Sequence, residues 1–422
     1  MNENLKRLIR PIIRPFWGHI RPYYSKIVNY KRYKESRLQA IPFEKELREE
    51  IKAKGIEAII IFESFFGFSM KMFQRPQHIA LNLADEKVLY FYKASPYIDK
   101  DITSYKKLKD GFYIVNTDLF WVHESILKIA KESGLPKFAH IYSTTFIEYD
   151  KYLKSYYKKG FKILYEFVDD FSDKIAGYKI PKKVYQSHDR MMEDSDKVYV
   201  VSTADKLFEK VKNVRGSKNS ILVTNGVQFE HFSAPPENVA LIPEMVNILA
   251  KGNKIIGYFG ALAEWFDYEL IKKLATERPD KEIVLIGVDY DKSVEKSGII
   301  KFLNIHFLGP INYTELPAYS KYFDVCIIPF ILNDITESTS PVKMFEYMAM
   351  GHPIVTSDLP ECRKYKSTLI SKTPEEFLAN IDKALELTNN DEYREILRSE
   401  AQANTWSKKA KAIKELILNG SN

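Results

Sequence analysis

Short apolar segments alternate with longer amphipathic segments along most of this 422-residue chain. Ala58–Phe62 and Ile255–Phe259 are typical of the apolar segments, which are rich in isoleucine and phenylalanine. A buried strand followed by a helix is the repeating unit of a parallel sheet that carries helices on both faces. The alternation therefore predicts an α/β protein with doubly wound sheets. It stops over residues 231–252, a proline-containing segment, and then starts again.

The predicted strands fall into two groups, one on each side of this interruption. They are Ala58–Phe62, Val88–Tyr92, Phe112–Val115, Phe138–Tyr142, Ile163–Val168, Val198–Val201 and Ile221–Val223, then Ile255–Phe259, Ile283–Ile286, Ile305–Leu308, Val325–Ile328 and Ile354–Thr356. Because a single core seldom grows to the size of this chain, two groups of strands indicate two domains. We predict a basic amphipathic segment at residues 1–40, an N-terminal domain at 41–230, a linker at 231–252, a second domain at 253–405 and a C-terminal helix at 406–422.

Positive charge is concentrated at the start of the chain. Residues 1–37 contain ten Lys or Arg and two Glu, a net charge of +8, whereas the remainder has 53 basic and 54 acidic residues, a net charge of −1. Basic residues alternate there with apolar and aromatic ones, as in segments that lie on an anionic membrane surface. We predict such a surface as a partner; a packed arm or a disordered tail is the alternative. A body without net positive charge disfavours nucleic-acid binding.

The cysteines and the hydropathy pattern predict the compartment. Cys326 and Cys362 are the two cysteines of the chain, and their spacing is not that of a metal site. Few cysteines indicate a reducing compartment and argue against a disulfide framework. No apolar run approaches the roughly 20 residues that span a bilayer. We therefore predict a cytoplasmic protein that associates peripherally with the inner face of the cell membrane.

Residues 337–361 carry the most specific pattern in the sequence. Ser340 and Pro341 are residue types that favour a helix start, so we predict a helix that begins at Pro341. Lys343 and Glu346 then lie on one face of this helix. A helix N-terminus binds anions, and a carboxylate one turn further along accepts bonds from both hydroxyls of a ribose. We predict that Ser340, Lys343 and Glu346 bind a nucleotide diphosphate; a surface ion pair between Lys343 and Glu346 is the alternative.

The same stretch resembles the donor-nucleotide segment of GT-B glycosyltransferases. The family is that of retaining enzymes similar to glycogen and sucrose synthases, and the resemblance is strongest to bacterial enzymes of the teichuronic-acid type. The matching residues are Glu346, Ala349, Gly351, Pro353 and the pair Ile354-Val355. The resemblance implies two Rossmann-like domains facing a cleft, with the nucleotide sugar on the second domain and the acceptor on the first. It assigns ribose binding to Glu346.

Two departures from the family pattern affect the expected site. Many relatives carry an earlier glutamate that contacts the sugar; Ser338 stands at that position here, with Glu337 one residue away. Relatives also often place Arg and Lys beyond a glycine that follows the first strand of the second domain. Here Gly260 is followed by Glu264 and Trp265 instead. We expect Gly260 to let the backbone approach the diphosphate and Lys343 to supply the positive charge.

Four residues are candidates in the first domain. Asp169 and Asp170 follow a predicted strand, where they would orient an acceptor hydroxyl or take its proton. The alternative is a helix N-cap together with Asp173. Arg75 and His78 follow the first strand, on the side where the resemblance places the acceptor, and we predict that they bind it. A structural role at the start of a helix, or as a packed imidazole, is the alternative for each.

We predict a glycosyltransferase that moves a sugar from a nucleotide diphosphate donor to a saccharide acceptor. We predict that this acceptor is linked to a lipid and that the reaction belongs to cell-surface polysaccharide synthesis. The resemblance implies retention of configuration without a covalent enzyme nucleophile. No metal or other cofactor is expected, because the Asp-x-Asp at Asp289–Asp291 recurs at Asp99–Asp101 and Asp194–Asp196 and is therefore not specific. A sugar-nucleotide epimerase of the same fold and a non-catalytic sugar-nucleotide or membrane-binding scaffold are the alternatives.

Overall fold

The computed structural model describes residues 38–64, 66–70, 73–143, 153–171 and 179–420, and the predicted membrane segment at residues 1–37 lies outside them. Residues 38–54 form helix α1, so the predicted boundary at residue 41 falls within a helix. Phe43 and Leu47 of α1 are buried in the core of the first sheet. The helix therefore belongs to the first domain.

The first sheet has eight strands. They are β1 (Ala58–Phe62), β2 (Val88–Lys93), β3 (Tyr105–Lys109), β4 (Phe112–Val115), β5 (Lys137–Tyr142), β6 (Lys162–Phe167), β7 (Val198–Ser202) and β8 (Ser220–Leu222). Their order is β3-β4-β2-β1-β5-β6-β7-β8, with β3 antiparallel to β4 and the other neighbours parallel. The sequence pattern does not predict β3, because its three central side chains are exposed and include two lysines, as suits an edge strand.

Helices connect these strands and cover the sheet. They are α2 (Arg75–Asp85), α3 (Phe120–Glu132), α4 (Lys154–Lys158), α5 (Lys182–Glu193) and α6 (Asp205–Arg215). The strands are almost entirely buried, because helices lie on both faces of a parallel sheet.

The second sheet has six parallel strands. They are β9 (Ile255–Phe259), β10 (Glu282–Ile286), β11 (Ile305–Gly309), β12 (Val325–Ile328), β13 (Ile354–Ser357) and β14 (Thr368–Ser371). Their order, β11-β10-β9-β12-β13-β14, is the Rossmann order, and the direction of winding reverses between β9 and β12. The short, half-exposed β14 was not predicted from the sequence.

The helices of the second half are α7 (Phe229–Ser233), α8 (Pro243–Ala250), α9 (Tyr268–Glu277), α10 (Ser293–Ser297), α11 (Leu316–Ser320), α12 (Val342–Met350), α13 (Pro374–Leu387), α14 (Asp391–Ala403) and α15 (Trp406–Asn419). The segment 231–252, predicted as a linker, contains α8, whose Met245 and Ile248 are buried in the core of the second domain.

The chain crosses between the domains twice, and the two crossings are bonded to each other. The Val227 amide donates to the Asn404 carbonyl at 3.0 Å, and the Trp406 amide donates to the Val227 carbonyl at 3.0 Å. Helix α15 then packs on the first domain, where Trp406 and Ile413 are buried in the core beneath its sheet. The predicted architecture, two doubly wound Rossmann-like domains, is confirmed.

Candidate functional site

A cavity of about 390 Å³ lies between the two domains. The first domain lines it with Phe73, Gln74, Asp169 and Asn225. The second domain contributes residues that follow β9, β10, β11 and β12, together with the start of α12. Ligands of open α/β sheets bind at the carboxyl ends of the strands, where the strand order reverses. The cavity occupies this position in the second domain.

Helix α12 begins beside the cavity, one residue later than predicted. Pro341 is its N-cap residue, with an extended backbone, and Val342 is the first helical residue. Ser340 is buried and lines the cavity. The helix ends at Gly351 in the left-handed conformation, with a φ of 74°, as a glycine after a helix allows.

Lys343 and Glu346 both line the cavity. Glu346 is 5% exposed, whereas Lys343 is partly exposed. In the described part of the chain, neither the Lys343 ammonium nor the Glu346 carboxylate has a hydrogen bond or an ion pair within 4.0 Å. Lys343 Nζ lies over two rings, 4.8 Å from the centroid of Phe330 and 5.2 Å from that of Tyr258. A surface ion pair between the two residues is thereby excluded.

The pKa values of this pair move in the directions expected for charges removed from water. Burial raises the pKa of Glu346 to about 8, and the positive charge of Lys343 opposes that shift. Desolvation lowers the pKa of Lys343 to about 8, and the negative charge of Glu346 opposes it. Neither group has a hydrogen bond within the described residues that would offset this loss of hydration.

Two glycines allow close backbone approach in the cavity, Gly260 to Lys343 and Gly287 to Gly260. Gly260 has a φ of 138°, and a Cβ at this position would lie 2.6 Å from Lys343 Cε. Gly287, which the sequence analysis missed, has a φ of 150°, and a Cβ there would lie 1.8 Å from the Gly260 carbonyl oxygen. Both glycines follow a buried strand, β9 or β10, and that shared position was the available signal. Any side chain at either position would close this part of the cavity.

The two adjacent aspartates of the first domain differ in their surroundings. Asp169 lines the cavity, and burial together with the charge of Asp170 raises its pKa to about 6. Asp170 lies outside the lining, where it forms an ion pair with Lys210 and accepts a hydrogen bond from the Phe171 amide at 3.1 Å. The alternative N-cap with Asp173 involves a residue outside the described ones. Of the two candidates, Asp169 is the one that lines the cavity.

Arg75 and His78 lie on α2 beside the cavity but not in its lining. Arg75 is buried, and its Nε donates to Glu166 Oε2 at 2.5 Å. The His78 ring is buried and stacks on Trp406 at 4.9 Å, and burial lowers its pKa to about 3. These contacts favour the structural alternative for both residues over acceptor binding.

Ser338 and Glu337 do not line the cavity either. Ser338 is buried and donates to the Asp334 carbonyl at 2.8 Å. The Glu337 carboxylate accepts from Lys206 of the first domain at 3.0 Å. Thr336 and Thr339 are the residues of this segment that line the cavity, so it presents hydroxyl side chains there and no carboxylate.

Tyr313 and Asn225 line the cavity and were also missed by the sequence analysis. The Tyr313 hydroxyl is buried without a hydrogen-bond partner among the described residues, and burial raises the pKa of this phenol well above its usual value. Its ring stacks on His231 at 4.7 Å. Both residues follow a strand, Tyr313 after β11 and Asn225 after β8, which was the available signal.

The Asp-x-Asp at residues 289–291 serves the local backbone. Asp291 accepts from the amides of Glu264 at 2.9 Å and Ser293 at 3.0 Å, and Asp289 accepts from the Val294 amide at 3.3 Å. In the part of the chain that the structure describes, no three His, Cys, Asp or Glu side chains come together as a metal site. None of the helices in the described ranges is both long and apolar enough to cross a lipid bilayer.

Comparison with known sequences supports the resemblance. Residues 253–387 match the family Glycosyl transferases group 1. TuaH of Bacillus subtilis strain 168, a protein named as a glycosyltransferase of teichuronic acid biosynthesis, is 25% identical over 260 residues. That match covers 58% of this chain and 64% of TuaH, which is less than two thirds of the relative. Residues 253–387 of the second domain are thus similar to group 1 glycosyl transferases, and the resemblance inferred from the sequence is confirmed.

Solved structures agree in fold. Sucrose-phosphate synthase from Thermosynechococcus elongatus matches with a TM-score of 0.60 and 14% identity, over 85% of this chain and 98% of that one. HepE of Anabaena, solved in complex with UDP, matches with a TM-score of 0.57 and 13% identity, over 86% of this chain and 99% of that one. At such identities the likeness is one of fold, and it confirms the predicted GT-B class.

Proposed function

We propose that this protein is a glycosyltransferase that moves a sugar from a nucleoside diphosphate donor to a saccharide acceptor. The observation that carries the proposal is the pair Lys343 and Glu346. Both ionisable side chains face an interdomain cavity without a bonding partner in the described part of the chain. Their charged forms are costly in the free protein, and such groups are retained where a ligand satisfies them.

The donor would bind along α12. The diphosphate would meet the free amides at the helix start near Ser340, the Lys343 ammonium and the backbone beside Gly260. The ribose hydroxyls would donate to the Glu346 carboxylate, one helical turn deeper. The likeness to HepE, whose structure contains UDP, supports a nucleotide at this edge of the second domain.

The chemistry requires stabilisation of the departing nucleoside diphosphate. Fixed positive groups at the helix start would stabilise the negative charge that develops as the bond to the sugar breaks. Asp169 lies across the cavity, with a pKa raised to about 6 by burial and the charge of Asp170, and is mostly ionised at neutral pH. It would orient an acceptor hydroxyl and take its proton. We propose retention of configuration, without a covalent enzyme nucleophile.

The acceptor and the location are finer parts of the proposal. We propose a lipid-linked saccharide as acceptor, in cell-surface polysaccharide synthesis. The match to TuaH, named for teichuronic acid biosynthesis, supports the biosynthetic role and leaves the lipid linkage as our proposal. We propose peripheral association with the cytoplasmic face of the membrane, which the net charge of +8 in residues 1–37 supports. Vesicle co-sedimentation tests the location: the full chain should pellet with anionic vesicles, less so as salt rises, and a chain starting near Arg37 should not.

Thermal denaturation with a panel of nucleoside diphosphates and nucleotide sugars tests donor binding. A ligand present at 100 times its Kd should stabilise the protein by about 2.7 kcal/mol. In Lys343→Met, nucleoside diphosphate binding should weaken far more than nucleoside binding, because the stem remains and only the charge is lost. Equal losses for the two ligands would place Lys343 away from the phosphates. No stabilisation by any member of the panel would contradict the proposal.

A second candidate function is non-catalytic binding of a sugar nucleotide. It is favoured by Ser338, which replaces the family's sugar-contacting glutamate and is turned away from the cavity. Incubation with the nucleotide sugar that binds best separates the candidates. Transfer to an added acceptor supports the transferase, isomerised donor without transfer indicates an epimerase, and unchanged donor indicates a binding protein.

A further inference from the structure

A continuous chain of side-chain bonds runs from the interior of the first domain to the start of α12. Tyr90 Oη bonds His140 Nδ1 at 2.7 Å, and His140 Nε2 bonds Glu166 Oε1 at 3.0 Å. Arg75 Nε donates to the other oxygen of Glu166 at 2.5 Å, and Arg75 Nη1 donates to Asn225 Oδ1 at 3.2 Å. Tyr90, His140, Glu166 and Arg75 are all buried. Arg75 bonds through Nε and Nη1, and its Nη2 is buried without a partner among the described residues. The bonds that are made link buried groups, and a linked polar network of this kind restricts motion.

Asn225 extends this network across the domain boundary. Its Nδ2 donates to the Ser340 carbonyl at 2.6 Å, and its backbone amide donates to Ser340 Oγ at 3.3 Å. The side-chain oxygen of Asn225 thus accepts from Arg75 of the first domain, and its side-chain nitrogen donates to Ser340 of the second. These two bonds fix which end of the amide is the oxygen. Ser340 stands three residues before Lys343 and six before Glu346.

The loop that carries Asn225 is itself held on several sides. The carbonyl of Thr224 accepts from Arg75 Nη1 at 3.1 Å, and its hydroxyl accepts from Lys409 Nζ at 2.8 Å. The next residue, Gly226, packs so closely on the second chain crossing that a Cβ would lie 2.6 Å from the Asn404 carbonyl oxygen. Asn225 therefore presents its side chain from a fixed backbone.

Other contacts between the two domains involve residues that are farther from Lys343 in the sequence than Ser340, or that are more exposed. The Asp205 amide donates to Glu361 Oε1 at 2.8 Å. Glu361 directly precedes a short 3₁₀ helix, Cys362–Lys364, that follows β13. Lys206 pairs with Asp334 at 3.1 Å, but Asp334 is 95% exposed, and exposed pairs contribute little. Among these contacts of the described residues, those of Asn225 reach Ser340, the residue directly before the N-cap Pro341 of α12.

We propose that Asn225 is a positioning residue that fixes the start of the donor helix, and with it Lys343, against the first domain. This inference rests on the proposed function, since it assigns Asn225 to the same donor site. Arg75 holds the Asn225 side chain. Arg75 thereby contributes to positioning the donor helix without contacting the substrate. Loss of the Asn225–Ser340 bonds frees the two domains to shift relative to each other and leaves the phosphate site incompletely assembled.

Asn225→Asp tests the proposal, because it keeps the size and the oxygen that Arg75 bonds and removes the donor to Ser340. It also adds a negative charge, so the uncharged Asn225→Ala is measured beside it. Asn380→Asp is the matched control: Asn380 Nδ2 donates to the Ile370 carbonyl at 3.0 Å within the second domain, outside the cavity lining. UDP affinity is measured by calorimetry. We expect Asn225→Asp to weaken UDP binding at least about tenfold, the effect of 1.4 kcal/mol, and the control to bind like the unmodified protein.

Interdomain distances in the nucleotide-free protein provide the second readout. Spin labels on Lys52→Cys and Lys383→Cys report on one domain each, and the native Cys326 and Cys362 are buried and free, so labelling is selective. We expect a broader distance distribution in Asn225→Asp and Asn225→Ala but not in Asn380→Asp. Asn225→Ala, which introduces no charge, decides both measurements alone if Asn225→Asp does not fold.

Each combination of results decides the question. Weaker UDP binding with an unchanged distance distribution means that Asn225 contacts the ligand directly, and it overturns the positioning role. Unchanged affinity overturns it as well, whether or not the distances change, because the phosphate site is then assembled without the Asn225–Ser340 bonds. If the unmodified protein does not bind UDP or any other nucleoside diphosphate, the proposed function fails, and the distance distributions alone still decide whether Asn225 holds the domains in place.

Discussion

The two domains each hold an acid and a base near the carboxyl edge of their sheet, but the two pairs are built differently. In the first domain, Arg75 and Glu166 are both buried and bonded to each other at 2.5 Å. In the second, Lys343 and Glu346 have no such bond among the described residues, and both face the cavity.

The two carboxylates consequently have pKa values shifted in opposite directions. Burial alone would raise the pKa of Glu166, but the charge of Arg75 and a hydrogen bond from His140 outweigh it, and the pKa is lowered. At Glu346 burial prevails, and the pKa is raised to about 8. A buried charge that finds its partners within the fold is compensated there, and removing one partner leaves the other uncompensated. A buried ionisable group without partners at a cavity indicates a ligand site.

Glu346→Ala should give the largest effect on ligand binding. Each charge-assisted bond to a ribose hydroxyl contributes about 1.5–3 kcal/mol, so losing two of them should weaken nucleoside diphosphate binding by at least about a hundredfold. Calorimetry measures the affinity, and thermal denaturation verifies that the variant is folded. If a folded variant binds the nucleoside diphosphate with undiminished affinity, Glu346 does not bind the ribose and has a structural role.

Glu166→Ala should give the largest effect on stability. Removing one partner of a buried ion pair destabilises a protein by about 3–5 kcal/mol, because the remaining charge is uncompensated. Glu132→Ala is the control, since Glu132 pairs with Arg48 at the surface, at 2.9 Å and 44% exposure. It should cost no more than about 1 kcal/mol in chemical denaturation. Equal losses of unfolding free energy in the two variants would show that the buried Arg75–Glu166 pair is no more important for stability than a surface pair.

Asp169→Asn should lower turnover by about a hundredfold, at the lower end of general-base contributions. Asp170→Asn should have nearly normal turnover, because Asp170 bonds Lys210 outside the cavity lining. The pH profile sharpens the test. The pKa of Asp169 is raised to about 6, and the ionised form takes the proton, so turnover of the unmodified protein should fall as pH drops through 6. The turnover of Asp169→Asn should not show this fall at low pH. A normal turnover for the variant would show that Asp169 is not the general base.

Glu346→Gln should change stability by the smallest amount and in the favourable direction. The folded-state pKa of Glu346 is raised from 4.5 to about 8, so its contribution to stability is lost as pH rises through this window. The glutamine variant does not titrate and should gain stability relative to the unmodified protein between pH 4.5 and 8. We expect about 1–3 kcal/mol at the upper end, the usual cost of an unsatisfied buried polar group. Thermal melts of both proteins at several pH values measure it, and a constant difference would show that Glu346 is hydrated.

The sequence predicted the features that local pattern controls. Strand and helix alternation predicted two doubly wound domains, because side-chain periodicity reports which faces are covered. The spacing of Lys343 and Glu346 predicted that they share one face of a helix. Edge strands such as β3 were missed, since an exposed, lysine-containing strand lacks the apolar signal.

By itself, then, the sequence determined the fold class and placed Lys343 and Glu346, the predicted donor-binding residues, on α12, because both follow from contacts within a few residues. Only the tertiary structure decided which charges are satisfied. Arg75 bonds Glu166 across 91 residues, and Asn225 bonds Ser340 across 115. No local pattern encodes such partners, since they meet only when the strands of one sheet, or the two domains, come together. For the same reason, Asp169 and Asp170 are equivalent in the sequence and become distinct only when one of them faces the cavity and the other meets Lys210.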